Sequence, residues 1–274
     1  SVLVEHILLL LSKVVKLMDC SENDDTFWAE LAKTVAPWFY ELNFTFNIPT
    51  AIALQSLNLL TTVIWNYLDM FVVCMSLYLT SILEQINKRI MLAVDKNYMP
   101  TSIWGVLRED YTRATRLVRQ FDDTLSTIIL TCFANDLFFV SVQLFNTLSL
   151  VTNSFIVQLI PLRGYEYPIY ITFSFIFLIS RFLILALATA RINSASLEVA
   201  SFLYRVPSTA YTKDVERFLN QVSNGDFVGF TGLRFFYITR ELILSIAGTI
   251  VTYELVLLQF TTQEKIPGST NCGE

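Results

Sequence analysis

Four ionisable side chains stand inside long apolar runs of this sequence: Asp69, Asp136, Arg181 and Glu254. A charge in such a setting is costly and faces protein or a wet cavity, so each is a candidate for chemistry. Asp136 and Arg181 are opposite in sign, and each lies roughly 20 Å from the corresponding end of its run at 1.5 Å per residue, so they are expected to form a structural pair. Asp69 belongs to a longer pattern. Asn58, Thr62, Trp65, Asn66 and Asp69 recur at i, i+4, i+7, i+8 and i+11, one polar stripe with an indole on an otherwise apolar helix. Asn135, Phe139, Gln143 and Asn146 repeat the pattern in a second run, and Tyr167, Tyr170, Ser174 and Phe177 do so in a third. Amides, hydroxyls and carboxylates offer bidentate partners to the hydroxyls of a polyol, and aromatic faces stack on its ring. Hydrogen bonding between helices uses the same residue types, but three coincident stripes favour a cavity. Glu5 and His6, the single histidine, add a carboxylate and an imidazole that serve either as ligand contacts or as a packed ion pair. The candidate ligand-binding set is therefore Glu5, His6, Trp65, Asn66, Asp69, Gln143, Asn146 and Tyr170.

Covalent catalysis has little support here. The sequence has no metal motif, nucleophile elbow or Gly-rich phosphate loop, so neither an enzyme nor a cofactor is expected. Cys20, Cys74, Cys132 and Cys272 lack metal-ligand spacing and the density of a disulfide scaffold, and Cys74 and Cys132 read as small apolar fillers. In the last run, Leu242 to Gln263, the residues Thr252, Leu255, Val256 and Gln259 share one helical face. Glu254 lies about 140° round the helix from Gln259 at 100° per residue, which assigns it to packing or a vestibule rather than to the same narrow ring.

The elements that must position these groups are membrane helices. Of 274 residues, 54% are hydrophobic and only 16% charged, and the mean hydropathy is +0.52, the composition of a polytopic membrane protein. Ala51 to Leu83, Thr124 to Leu162, Tyr167 to Ala190 and Leu242 to Gln263 each exceed the roughly 20 apolar residues that span a bilayer. Ser1 to Met18 is a fifth candidate, truncated at its start, so the chain is expected to be the C-terminal part of a longer protein. The second stretch needs an exit near Val151-Thr-Asn-Ser, and Pro161 and Pro168 bound the loop after it.

Sidedness follows from the basic residues. The connection Glu84 to Leu125 holds seven Lys and Arg and Arg191 to Arg240 six, whereas the three segments on the other side hold only Lys33, Arg163 and Lys265. The positive-inside rule places the two basic connections in the cytoplasm and the C-terminus outside. The single sequon, Asn43-Phe44-Thr45, then falls in an outer loop where Asn43 is open to glycosylation. The expected order is a truncated transmembrane helix at 1–18, an extracellular loop at 19–50, a transmembrane helix at 51–83 and a cytosolic helical region at 84–125. A transmembrane helix at 126–151, an extracellular loop at 152–166, a third full span at 167–190 and a cytosolic helical region at 191–240 follow. A pore-lining helix at 241–263 and an extracellular tail at 264–274 close the chain. Trp104, Leu107, Tyr111, Leu117 and Phe121, and again Val215, Phe218, Leu219 and Val222, recur at near-helical spacing among charges, so the basic connections are helices as well. Asn224-Gly225-Asp226 and Gly229 mark a break ahead of the last helix.

Thr252-Tyr253, five mostly apolar residues and Gln259-Phe260 resemble the signature that ends the last membrane helix of insect gustatory receptors. Glu254-Leu-Val-Leu-Leu, Glu5-His6 and Ile64-Trp-Asn-Tyr-Leu-Asp69 resemble the sugar-receptor branch. The resemblance implies an insect chemoreceptor-type bundle, all-α, whose cytosolic helices pack four subunits as an anchor around a central pore. It also implies a pore constriction at Gln259 and Phe260, with Leu255 and Val256 as hydrophobic lining. A ring of such apolar side chains would close by dewetting. The implied function is a sugar-gated, non-selective cation channel in the plasma membrane of taste neurons. Its partners would be a mono- or disaccharide, permeant cations, membrane lipid and identical or related subunits, with no role for nucleic acid. The same channel gated by another tastant stays open as an alternative, as does a secondary transporter. Transporters commonly show inverted repeats and helices broken at midplane, and this sequence has neither self-similar halves nor a Gly/Pro break inside its four spans.

Overall fold

The computed structural model describes residues 48–95, 102–156, 166–208 and 210–263. Within them lie five helices: α1 (Ile48–Asp95), α2 (Ser102–Ile156), α3 (Glu166–Leu203), α4 (Lys213–Ser223) and α5 (Arg240–Gln263). Two short strands, β1 (Thr231–Gly232) and β2 (Phe236–Tyr237), stand between α4 and α5 and pair antiparallel, with Thr231 opposite Tyr237 and Gly232 opposite Phe236. Proline marks the helix ends. Pro49 and Pro168 sit in first turns, where the missing N–H is harmless, and Pro207 follows the last turn of α3.

The first three helices contain 48, 55 and 38 residues. At 1.5 Å per residue they run about 72, 82 and 57 Å, well beyond the ~30 Å of a hydrocarbon core. All three contain stretches long and apolar enough to cross a membrane. Their chemistry changes along their length. In α2 the charged residues from Arg108 to Asp123 give way to a mostly apolar stretch in which Asp136 is the only charged residue before Ile156, and the helix continues through Val151, where the sequence had suggested an exit.

The described chain divides into two compact units. One is drawn from the described parts of Ser1–Tyr67, Phe138–Ile179 and Val251–Glu274, and the other consists of Leu68–Leu137 and Ser180–Ile250. The second unit holds the dense core: Phe133, Phe218, Phe230, Leu185 and Ile192 are almost fully buried. On α2 the buried face is Trp104, Leu107, Tyr111, Ala114, Val118 and Leu125, a 3–4 spacing in which Leu117 and Phe121 lie at the border. In α4, Val215, Phe218 and Val222 are buried, while Asp214 and Glu216 occupy the first turn, where acidic groups complement the helix dipole.

The hairpin was not anticipated from sequence, since two-residue strands carry no readable alternation. Its turn is demanding. Phe235 N–H donates to the Gly232 carbonyl across Leu233 and Arg234, both left-handed at φ 49° and 61°. For residues other than glycine that conformation costs roughly 1–2 kcal/mol each. Side-chain bonds hold it in place: Thr231 N–H donates to Asp122 Oδ1 at 2.6 Å and its hydroxyl to Oδ2 at 2.9 Å, while Arg234 reaches Asp123 at 2.8 Å. Burial holds the Asp122 carboxyl above its ordinary range, and the hydrogen bonds from Thr231 offset this only in part.

Candidate functional site

In the first unit, three helices bring their polar and aromatic stripes together. The Trp65 indole on α1 lies on Phe139 of α2 with ring centroids 4.7 Å apart, and Phe138 meets Phe139 edge-on at 5.3 Å. One turn further along α2, Gln143 donates its amide N–H to the hydroxyl of Ser174 on α3 at 3.1 Å, and Ser174 is fully buried. Phe173 and Phe177 stack on the same stretch of α3. Asn66 donates back to the Thr62 carbonyl at 2.7 Å, and Thr62 in turn donates to Asn58 at 2.9 Å, so part of this stripe's capacity is spent within its own helix. Trp65, Asn66, Gln143 and Asn146 are all half-buried. The arrangement presents amide groups beside an indole and a phenyl ring, the combination a neutral polyol requires. Tyr170 lies on α3, but its side chain is outside the described residues, as are Glu5, His6 and the sequon residue Asn43.

The second unit contains the buried charges. Arg181 Nη2 lies 2.7 Å from Asp69 Oδ2 and 2.9 Å from Asp136 Oδ1, so one guanidinium from α3 joins carboxylates on α1 and α2. The side chains of Asp69, Asp136 and Arg181 are 5%, 1% and 12% exposed, which makes this an ion cluster removed from solvent. The expected Asp136–Arg181 pair is present. Asp69, expected as a ligand contact, is its third member, because the same helical spacing that puts it on the Trp65 stripe also points it at Arg181. Cys132, read as a small apolar filler, is buried. Matching depth along the helices singled out Asp136 as the partner of Arg181, and the structure adds Asp69 to the pair.

Among the described side chains from 251 to 259, the last helix buries one. Glu254 is buried, whereas Thr252, Leu255, Val256 and Gln259 are exposed. Phe260 belongs to α5, with a side chain outside the described residues.

The sequence pattern of the trehalose receptor family matches residues 1–272. In Drosophila melanogaster, the gustatory receptor for sugar taste 64f is 34% identical over 258 residues, covering 93% of this chain and 51% of the relative. Gustatory receptor 5a for trehalose from the same fly is 32% identical over 263 residues, covering 96% of this chain and 56% of that protein. The chain thus spans about half the length of these curated relatives. Among solved structures, the insect olfactory receptor OR5 from Machilis hrabei superposes with a TM-score of 0.56 at 14% identity, over 94% of this chain and 65% of that one. Its complex with eugenol gives 0.55 at 15% identity, over 94% and 66%. At this level of identity the likeness is one of fold, and the fold is that of the insect chemoreceptors.

Proposed function

The chain belongs to the trehalose receptor family of gustatory receptors, and we propose that it acts in a sugar-gated, non-selective cation channel of taste neurons. Sugar would bind within the first unit, beside Trp65, Asn66, Gln143, Asn146 and Tyr170, with Glu5 and His6 contributing from outside the described residues. The observation that carries this reading is the convergence of Trp65, Phe139, Gln143 and Ser174 from three helices. Asp69 would act one turn along α1 from Trp65, held by Arg181, and so fix the pitch of the stripe rather than touch the ligand. Four copies would surround a pore lined by α5, with Gln259 and Phe260 at its constriction and Leu255 and Val256 beside them. The basic stretches of α1, α2 and α3 would extend into the cytoplasm as an anchor, leaving the C-terminus and Asn43 outside.

The unbroken course of α1, α2 and α3 favours a channel over a secondary transporter, whose substrate sites commonly use interrupted helices. Single-channel recording from purified full-length receptor in planar bilayers tests the reading. Maltose, sucrose or trehalose should evoke unitary cation currents, and Trp65→Ala should abolish them while the protein still purifies as a folded oligomer. Sugar-coupled uptake into liposomes without unitary currents would overturn the channel assignment. Unchanged dose–response curves in the tryptophan variant would overturn the pocket.

A further inference from the structure

A cavity of about 460 Å³ opens in the second unit between α2, α3, α4 and the loop after α4. It shares no residue with the proposed sugar pocket, and its volume falls in the range of small-molecule sites. Arg116 and Arg119, one turn apart on α2, form its basic wall, while Asn193 and Ser196 of α3 and Gln221 of α4 supply amides and a hydroxyl. We propose that this cavity binds a small anion bearing a phosphomonoester on a polyol, either free in solution or as the headgroup of a lipid.

Charge is the first argument. The lining carries two guanidiniums against one carboxylate, Asp226, which pairs with Arg119 at 3.4 Å from a side chain 89% exposed. So exposed a pair is weak and exchangeable. The ion pairs on this part of α2 engage Arg113 and Arg119, and among the described residues Arg116 lies outside them. Two guanidinium forks suit a doubly charged phosphomonoester, which accepts paired hydrogen bonds from each, whereas a monocarboxylate would satisfy only one.

The amides argue for the polyol. Gln221 donates one N–H to the Thr112 hydroxyl at 3.0 Å and Asn193 one to the Val228 carbonyl at 3.2 Å, which locks both side chains in place. Each keeps a second N–H and a carbonyl oxygen, a donor and acceptor for ligand hydroxyls. Gly225 shapes the rim, because a Cβ there would collide with the Gln221 carbonyl. The loop that closes the cavity runs from Ser223 through Val228 directly into the hairpin and α5. An anion held there would therefore tie α2 to the segment leading into the last helix. The lipid source further requires that the basic stretches face the cytoplasm, as proposed above; the free anion does not.

The test uses purified full-length receptor and two probes, soluble inositol trisphosphate and phosphatidylcholine nanodiscs with or without phosphatidylinositol bisphosphate. The double variant Arg116→Gln/Arg119→Gln should bind at least about tenfold more weakly, the loss expected when a charge-assisted hydrogen bond is removed. Arg113→Gln, on the same helix outside the cavity, should bind as the parent does. Loss seen only with the soluble probe identifies a free anion, and loss seen only with the lipid identifies a headgroup. Should the double variant melt below the parent, Leu197→Trp, which adds bulk to the cavity lining without touching its charge, becomes the deciding variant and should weaken binding to the same degree. Equal binding by the folded double variant and Arg113→Gln, by Leu197→Trp and parent, or no saturable binding of either probe, would overturn the site.

Discussion

At the scale of single residues, charge arithmetic decides what each side chain can be asked to do. The Asp69–Arg181–Asp136 cluster contains two carboxylates and one guanidinium. Neutralising either acid leaves a balanced pair, whereas neutralising Arg181 leaves two buried carboxylates facing each other. Arg181→Gln should accordingly cost roughly 3–5 kcal/mol of stability, the range for breaking a buried pair, and Asp136→Asn or Asp69→Asn distinctly less. Thermal melting of the detergent-purified receptor checks the order, and an Arg181→Gln protein as stable as Asp136→Asn would show that the cluster is not held by charge. Trp65 makes a different demand. Its contact with Phe139 is a face that either a second aromatic or a sugar ring can use, so Trp65→Phe should keep part of the sugar response that Trp65→Ala loses. Equal responses from the two variants would remove stacking from the account.

At the scale of elements, the long helices were readable because their apolar runs and charged ends repeat a simple period over many turns, as in Trp104, Leu107 and Tyr111. The break at Asn224 was readable too, since glycine and short polar residues end helices by local chemistry, and α4 stops at Ser223. The hairpin between them was not. Its stability comes from Asp122, 109 residues earlier in the chain, and no local pattern records so distant a partner. Asp69 was misleading for a related reason: a helical stripe states which side chains share a face, but not whether that face meets a ligand or an arginine on another helix. The distant partner of the hairpin gives a sharp test. Asp122→Ala would leave the buried Thr231 N–H without its acceptor, at a cost of about 1–3 kcal/mol. Hydrogen exchange should then quicken at Thr231 and Phe235 before the rest of the second unit, and unaltered protection at those amides would show that the carboxylate does not hold the turn.

At the scale of the whole molecule, the question is what the exposed face of α5 meets. Glu254 is buried, and Thr252, Leu255, Val256 and Gln259 are exposed, as are Val251, Tyr253 and Leu257 elsewhere round the helix, so the single chain leaves a mixed polar and apolar surface uncovered. Lipid would favour an apolar face throughout, because an amide side chain such as Gln259 is costly in hydrocarbon. A water-filled axis between subunits satisfies Gln259 and still lets Leu255 and Val256 close the path by dewetting. In the proposed channel, sugar bound elsewhere in each subunit would open such a gate only through its greater affinity for the open form. It follows that Gln259→Ala should change conductance or cation selectivity while leaving sugar affinity, measured on the purified receptor by calorimetry, within about twofold, since a residue on the permeation path need not touch the ligand. Gln259→Cys should in addition become reactive to water-soluble thiol reagents when sugar is present and less so without it. A cysteine that stays unreactive in both conditions, together with unchanged selectivity in the alanine variant, would place this face of α5 against lipid and remove it from the pore.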